Sequence, residues 1–259
     1  MTGDEAALLA TLPAWAFAFV LVTARIGAAL TLLPGLGEAA SPAMVRVGLC
    51  LAVTVLLLPG IAPLVPPVPE AGMQAAFMVA AGVITGLWIG WLARLLVLAL
   101  PIAGQYIAYM LGIANVLQPD QELGGQATPI ARLFAVAASF VILATGLYAL
   151  PLAALAGSYK LIPPGTLLPA ADTAETAVRA AAGAFALAVR LASPFLLVAI
   201  VWNVATGLLA RLVPRLQIYF VAMPGQILGG IALLAVLATA LLSAWQDSVR
   251  AGFATLPGL

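Results

Sequence analysis

The chain has 259 residues, of which 64% are hydrophobic and 7% are charged. Ordinary soluble domains carry roughly 25% charged residues, so this composition excludes a water-soluble globular protein and predicts an integral membrane protein. Nine acidic and ten basic residues nearly cancel, which argues against nucleic acid as a partner. Histidine is absent and Cys50 is the only cysteine, so we expect no cofactor, metal or disulfide.

The N-terminal sequence Met-Thr-Gly-Asp-Glu is acidic where a secretory signal would be basic, so the first apolar run is expected to be a retained membrane helix. A bilayer core of about 30 Å needs about 20 apolar residues of helix. Six candidate spans meet this need, at about residues 14–33, 44–58, 73–100, 130–150, 178–209 and 218–244.

Several prolines are predicted to end or interrupt these spans. Pro34 and Pro59, each followed by glycine, are predicted to end the first two helices, which then form a hairpin. Pro101 is predicted to interrupt the third helix, and the fifth is expected to be kinked or split near Ser193 and Pro194. An aqueous loop is expected after the fourth span, over residues 151–177.

The segment from Gly104 to Gly125 is rich in small and polar residues and is a poor membrane span. Irregular backbone is tolerated at membrane depth only where it packs within protein or lines a watery cavity. An ordinary amphipathic connector with a solvated loop explains the same composition, and the sequence leaves both readings open.

Arg25 lies near the middle of the first span. A central arginine costs about 2.5 to 3.5 kcal/mol on insertion scales, which offsets most of the roughly 4 kcal/mol gained from nearby Leu, Ile, Phe and Val. Its side chain is therefore expected to face protein, a partner or water, paired with a carboxylate or with helix-end carbonyls. The candidate carboxylates are Glu38, Asp120 and Glu122.

Two further arginines lie within candidate spans. For Arg190, as for Arg25, the sequence is consistent with structural pairing or with a direct role in transport. Arg94 is close enough to the end of its span to reach the interface.

Orientation rests on a few charged residues. Arg46, Arg211 and Arg215 fall on one side of a six-span arrangement, whereas the acidic N-terminus and Glu70 fall on the other. The positive-inside rule then places the N-terminus outside the cytoplasm.

Residue pairs suited to catalysis are missing at membrane depth, so we expect no enzyme. Asp120 and Glu122 are two residues apart, a spacing that points them away from each other on a helix. Ser139, Ser193 and Ser243 stand alone in apolar helices, where hydrogen bonds to carbonyls of their own helix are the usual explanation.

Three blocks of sequence resemble the FliR family, the export-gate subunits of the bacterial flagellar type III secretion apparatus. The first block contains Arg25, Pro34, Pro42 and Arg46; the second contains the run Ala103-Gly104-Gln105-Tyr106-Ile107, Gly112, Pro119 and the run Thr128-Pro129-Ile130-Ala131-Arg132. The third contains Asn203, the run Gly207-Leu208-Leu209-Ala210-Arg211, Pro214, Gln217, Phe220 and Pro224. Ala222, Met223, Gly225 and Gln226 depart from the family's usual residues around Pro224.

The resemblance implies an all-α, multi-pass protein of the bacterial inner membrane, located in the flagellar basal body. Its helices would form hairpins within a helical export gate. A FliP-like part, residues 1–175, would precede a FliQ-like hairpin, residues 176–259. The partners it implies are FliP-like and FliQ-like membrane subunits, FlhB-like and FlhA-like export proteins, unfolded flagellar substrates and membrane lipid. A single copy of the chain would act as a structural and gating subunit.

The resemblance also implies two groups of functional residues. The pore-facing plug or constriction would contain Gly104, Gln105, Tyr106, Tyr109, Met110, Gly112 and Asn115. The residues implied in assembly are Arg25, Pro34, Arg46, Arg132, Asn203, Gly207, Arg211, Pro214, Gln217 and Pro224.

Two other functions remain as alternatives. A subunit of a virulence injectisome would share the same family features. A small-molecule secondary transporter would carry inverted repeats with matching broken helices, and the sequence contains no convincing repeat of this kind.

Overall fold

The computed structural model describes residues 3–37, 42–113, 127–212 and 218–259, and within these ranges the regular structure is helical. The α-helices are α1 (Gly3–Leu32), α2 (Ala43–Ile61), α3 (Gly72–Met110), α4 (Pro129–Ala144), α5 (Ala149–Leu161), α6 (Ala170–Leu212) and α7 (Ile218–Phe253). A short 3₁₀ turn, Ala62–Leu64, follows α2. The predicted all-α fold is confirmed.

Five of the described helices are long and apolar enough to cross a membrane. The bent pair α4 and α5 brings the number of candidate spans to six when the pair counts as one span. This agrees with the six spans expected from the sequence and makes the chain a multi-pass membrane protein.

The first predicted helix end is confirmed, whereas the second is wrong. The helix α1 ends at Leu32, and a turn follows in which Gly35 has a φ of 81°, a conformation that favours glycine. The helix α2 continues through Pro59 to Ile61.

The helix α3 also continues through Pro101, which was expected to interrupt it, and α6 is a single helix through Pro194, where a kink or a split was expected. A proline cannot donate to the carbonyl four residues earlier, which leaves that carbonyl in need of a partner. Trp245 Nε1 donates to the freed carbonyl of Val97 at 3.4 Å, and Ser193 Oγ donates to that of Arg190 at 2.7 Å. These substitute donors explain why the helix persists beyond Pro101 and Pro194.

The expected irregular segment is helical up to Met110, so its first part is a correction to the sequence analysis. The expected loop after the fourth span is shorter than predicted, because only residues 162–169 of it lie between helices. The helix α4 ends at Ala144, Gly146 turns the chain with a φ of 71°, and α5 then occupies Ala149–Leu161. Asp172 lies in the first turn of α6 and not in a loop.

The described residues within 1–96, 142–180 and 251–259 form one compact unit. It contains α1, α2, the first part of α3, α5 and the start of α6. Its core is apolar and includes Val22, Ile26, Ile89, Leu155 and Phe253, all buried.

The described residues within 97–141 and 181–250 form a second compact unit. It contains the end of α3, most of α4, and most of α6 and α7. Leu100, Ile107, Phe195 and Trp245 are buried in its core. Trp245 therefore both fills this core and supplies the donor to Val97.

Candidate functional site

Arg25 is held inside the first unit by the end of helix α5. Only 1% of the residue is exposed, and its Nη1 donates to the carbonyl of Ile162 at 3.0 Å and to Ser158 Oγ at 3.4 Å. Ile162 is the C-cap of α5, where carbonyls lack partners within the helix and the helix dipole favours a cation. Of the two predicted kinds of partner, a helix-end carbonyl is present, whereas the candidate carboxylates lie outside the described residues.

Tyr159 completes this cluster. The guanidinium carbon of Arg25 lies 4.2 Å from the centre of the Tyr159 ring, within the range of a cation–π interaction. The Tyr159 hydroxyl donates to the carbonyl of Val22 on α1 at 3.2 Å. Arg25 on α1 thus contacts the end of α5, and Tyr159 on α5 contacts the backbone of α1. These two contacts favour a structural role for Arg25 over a direct role in transport.

A row of three glycines on α3 was not predicted from the sequence. Gly82, Gly86 and Gly90 are spaced four residues apart, which places them on one face of the helix. A methyl group on Gly86 would overlap the carbonyl oxygen of Arg25, and one on Gly90 would lie 2.6 Å from that of Ala29.

The two contacted residues belong to α1, so these glycines let the backbones of α1 and α3 approach closely. The repeated Gly-x-x-x-Gly spacing within an apolar stretch was the sequence signal that would have revealed this contact.

Two residues of the predicted plug make structural contacts in the second unit. A methyl group on Gly104 would lie 2.9 Å from Ala131 Cα, so α3 and α4 are in close contact there. Gln105 Oε1 accepts hydrogen bonds from the backbone N–H and the hydroxyl of Thr128, each at 3.1 Å. Thr128 Oγ1 accepts in turn from the Ala131 N–H at 3.3 Å and caps the start of α4.

The other described plug residues lie at or beyond the last turn of α3. Tyr109 is exposed, whereas Tyr106 and Met110 are half-buried. Gly112 has a φ of 73°, which stops the helix, and its N–H donates to the carbonyl of Tyr109 at 3.1 Å. Asn115, the remaining member, lies outside the described residues, as do the three candidate carboxylates for Arg25.

Three assembly residues of the third block share one face of α6. Asn203, Gly207 and Arg211 are each four residues apart and all are exposed. Among the described residues, none outside its own helix turn lies within 4 Å of the position that a Cβ on Gly207 would take. The Asn203 amide donates to the carbonyl of Ala199, one turn earlier, at 2.8 Å. The structure therefore brings these three residues together on an exposed face of a mostly apolar helix.

The remaining assembly residues are scattered. Pro34 is buried after α1, while Arg132 on α4 and Pro224 on α7 are exposed. Arg46 is half-buried in the first turn of α2, beside an apolar groove of about 360 Å³ that Thr23 and Cys50 also line. Pro214 and Gln217 lie outside the described residues.

The intramembrane serines behave as predicted. Ser139, Ser193 and Ser243 each donate to a carbonyl three or four residues earlier in the same helix.

Arg190 is exposed on α6 and lines an apolar groove of about 400 Å³ with Pro194 and Leu237. Within the described ranges, no three His, Cys, Asp or Glu side chains are grouped to hold a metal ion.

The family model described as bacterial export proteins, family 1, matches residues 16–252 of the chain. The chain belongs to this family. The match includes α2 to α6, most of α1 and nearly all of α7, so every cluster described above lies within it.

Three relatives carry the name flagellar biosynthetic protein FliR. That of Caulobacter vibrioides is 33% identical over 230 residues, covering 89% of this chain and 92% of the relative. That of Bacillus subtilis is 26% identical over 212 residues, covering 80% of each chain. That of Escherichia coli is 24% identical over 215 residues, covering 82% of this chain and 81% of the relative. The resemblance to the FliR family is thereby confirmed.

Proposed function

We propose that this chain is a structural and gating subunit of the flagellar type III export gate, needed for flagellum assembly and for export of unfolded flagellar proteins. The observation that carries this proposal is the family match over residues 16–252, together with three relatives named for flagellar biosynthesis. The chain performs no covalent chemistry in this role. It resides in the inner membrane, within the flagellar basal body.

The uncovered helices support a role within a larger assembly. Val204, Leu208 and Leu212 are more than half exposed at the end of α6, beside the polar and small residues Asn203 and Gly207. Lipid needs no such polar or small residues, whereas helix partners use them for hydrogen bonds and close approach. FliP-like and FliQ-like subunits are the partners that cover this surface, with FlhB-like and FlhA-like proteins nearby.

The division of the chain follows from the same proposal. Residues 1–175 act as the FliP-like part and residues 176–259 as the FliQ-like hairpin. The two longest described stretches of helix in the latter region, α6 and α7, both line the groove beside Arg190, which supports an antiparallel hairpin.

The plug is assigned to the segment from Gly104 to Gly125. Its described members have different tasks: Gly104 and Gln105 anchor α3 to α4, whereas Tyr106, Tyr109 and Met110 carry the side chains left available to a pore. A constriction of aromatic and apolar side chains closes around a chain without binding it tightly and excludes ions by dewetting.

Co-expression tests the assembly. The tagged chain, purified in mild detergent with FliP-like and FliQ-like subunits from the same bacterium, is expected to be recovered in one complex with both. A chain that runs alone as a monodisperse monomer under these conditions contradicts the proposed function. Deleting the gene is expected to abolish motility and the secretion of flagellar substrates, and restoring it is expected to recover both.

A short deletion tests the plug. Removing a few residues between Leu111 and Leu117 is expected to make the assembled gate leak ions, because the constriction loses its closing side chains. A deletion of the same length near Gly165, in the turn before α6, serves as the control. Unchanged membrane conductance in the Leu111–Leu117 deletion, with the complex intact, removes the plug assignment.

A further inference from the structure

The first unit contains a groove between its helices α1 and α2. The groove has a volume of about 360 Å³, within the range of small-molecule sites, which is about 300–1,000 Å³. Thr23, Gly27 and Thr31 line it from one face of α1, since they are four residues apart. Arg46 and Cys50, also four residues apart, line it from α2. The other lining residues are apolar, and none of the described residues in this lining is acidic.

The groove runs inward from the ends of both helices. Arg46 is in the first turn of α2, a candidate membrane span, so it lies near one membrane surface, where lipid headgroups are found. The helices meet deeper in the groove. A methyl group on Gly27 would lie 3.3 Å from Cys50 Sγ, and the Cys50 thiol donates to the carbonyl of Thr23 at 3.9 Å.

Two polar groups of this groove lack hydrogen bonds. Thr23 Oγ1 and Arg46 Nε are both buried, and neither has a partner in the described part of the chain. Thr31 and Thr85, by contrast, donate to a carbonyl three or four residues earlier, which is the usual arrangement in an apolar helix. A buried polar group without a hydrogen bond is unfavourable, so the two groups indicate a ligand that the chain does not itself supply.

The two groups have the same order in depth as the polar groups of a phospholipid. Cys50 contacts Thr23, and Arg46 precedes Cys50 by four residues, which is about 6 Å along the axis of α2. In a phospholipid, the ester carbonyls likewise lie deeper in the bilayer than the phosphate. A guanidinium group suits a phosphate, and a threonine hydroxyl can donate to an ester carbonyl.

The start of α2 adds positive potential to the groove. The first turn contains no acidic residue and no side chain caps it, so the helix itself leaves the positive end of its dipole unneutralised. Basic pockets between membrane helices bind anionic lipid headgroups. A free phosphate would leave the apolar walls uncovered, whereas an acyl chain covers Val47 and Leu51, which are 58% and 42% exposed.

We propose that the groove between α1 and α2 binds one anionic phospholipid, with its phosphate on Arg46, an ester carbonyl on Thr23 and an acyl chain passing Cys50. This site goes beyond the proposed function, which assigns no lipid to any position in the chain. The bound lipid covers part of the surface of α2 that the chain leaves exposed.

Native mass spectrometry of the full chain in mild detergent tests the site. The parent is expected to retain one phosphatidylglycerol more strongly than phosphatidylcholine. Arg46→Gln is expected to weaken this retention about tenfold, and Thr23→Val about fivefold, because each loses a hydrogen bond to the lipid. Arg94→Gln is the matched control, since Arg94 is another half-buried arginine of the first unit and lies outside the groove. Equal retention by Arg46→Gln and Arg94→Gln overturns the site.

Thermal unfolding separates lipid binding from damage to the fold. Phosphatidylglycerol is expected to raise the unfolding midpoint of the parent and of Arg46→Lys, which keeps the charge, but not that of Arg46→Gln. Thr23→Val carries the same test where Arg46→Gln fails to fold. A rise of the same size in the parent and in the variants that fold, Thr23→Val included, overturns the site.

The single thiol of the chain reports whether the groove is occupied. Cys50 is the only cysteine and lines the groove, so labelling of this chain by N-ethylmaleimide reports on this position alone. In phosphatidylcholine vesicles, added phosphatidylglycerol is expected to slow the labelling several-fold in the parent and not in Arg46→Gln. A labelling rate that does not respond to phosphatidylglycerol in the parent overturns the site.

Labelling in the assembled complex distinguishes a lipid from a partner helix. An anionic phospholipid that is recovered with the complex, and whose removal exposes Cys50 to labelling, supports the lipid site. A protected Cys50 in a complex free of anionic phospholipid shows that a partner subunit fills the groove, which overturns the lipid as its occupant.

Discussion

At the scale of single residues, Arg25 shows which groups surround a buried charge in this chain. Its cost in the membrane predicted an arrangement within protein, and the structure supplies a helix-end carbonyl, a serine hydroxyl and an aromatic ring. The ring of Tyr159 contributes its π-face and its hydroxyl separately, the first to Arg25 and the second to Val22. The two contributions can be separated by substitution.

We expect Tyr159→Phe to lower the free energy of unfolding by about 1 kcal/mol, because it removes one hydrogen bond and keeps the ring. Tyr159→Leu is expected to cost about 3 kcal/mol or more, since it removes both the ring face and part of the core volume. Thermal unfolding of the purified chain in one detergent measures both. Equal losses in the two variants would show that the cation–π contact contributes nothing.

Ser193 provides a second test at this scale. Its hydroxyl donates to the Arg190 carbonyl, which Pro194 leaves without a backbone partner. Ser193→Ala is expected to cost about 1 to 2 kcal/mol. Ser243→Ala is the control, expected within about 0.5 kcal/mol of the parent, because the Ala240 carbonyl that Ser243 contacts faces the N–H of Ala244 and not a proline. The midpoint of thermal unfolding of the two alanine variants measures the difference. An equal or larger loss in Ser243→Ala would contradict this ranking.

At the scale of elements, small residues decide how closely helices pack. Gly82, Gly86 and Gly90 form one face of α3, but their distances to α1 differ. A methyl group on Gly82 would lie 3.7 Å from the Leu21 carbonyl oxygen, an ordinary contact, whereas one on Gly86 would overlap the Arg25 carbonyl oxygen. The effect of replacing a glycine of this row therefore depends on its distance from α1, and not on the Gly-x-x-x-Gly spacing alone.

We expect Gly86→Ala to destabilise the chain by about 1 to 3 kcal/mol, because α1 and α3 must move apart. Gly82→Ala is expected to be neutral or to stabilise by up to about 1 kcal/mol, since alanine favours the helix and fits the space. Unfolding midpoints and the yield of folded protein in detergent measure the difference. A stabilising effect of alanine at both positions would contradict the close contact at Gly86.

At the scale of the whole molecule, apolar surface is left uncovered over much of the chain. The helix α7 has only 11% of its most apolar window buried, and α2 only 17%. Such helices are stable where lipid or other subunits cover them. The face of Asn203, Gly207 and Arg211 on α6 is the part of this surface whose residue types favour a protein partner.

Arg211→Ala is expected to reduce recovery of the complex with the partner subunits, and with it motility, more than Arg94→Ala does. Arg211 is exposed in the last turn of α6, so its loss is expected to leave the thermal unfolding of the isolated chain unchanged. Arg94 is half-buried on α3 and lies outside the three sequence blocks. Equal motility and secretion in strains carrying either variant would count against this ranking.

The sequence by itself determined the class of fold and the family. The length and apolarity of the spans predict a multi-pass helical protein, because each crossing of the bilayer core needs about 20 apolar residues. The ordered blocks around Arg25, Gly104 and Asn203 identified the family. The Pro34–Gly35 turn and the hydrogen bonds of the three serines were also predictable, since they depend on neighbouring residues alone.

The tertiary structure decided which prolines end helices, which partner Arg25 uses and where α3 ends. Each depends on a residue distant in sequence: Trp245 for the helix through Pro101, Ile162 for Arg25, and Gln226, whose side chain donates to the last carbonyl of α3, for the end of that helix. In apolar surroundings every freed carbonyl and buried cation requires a partner, but the partner can come from any helix. Local sequence shows the need for a partner, and only the packing of the helices shows which residue meets it.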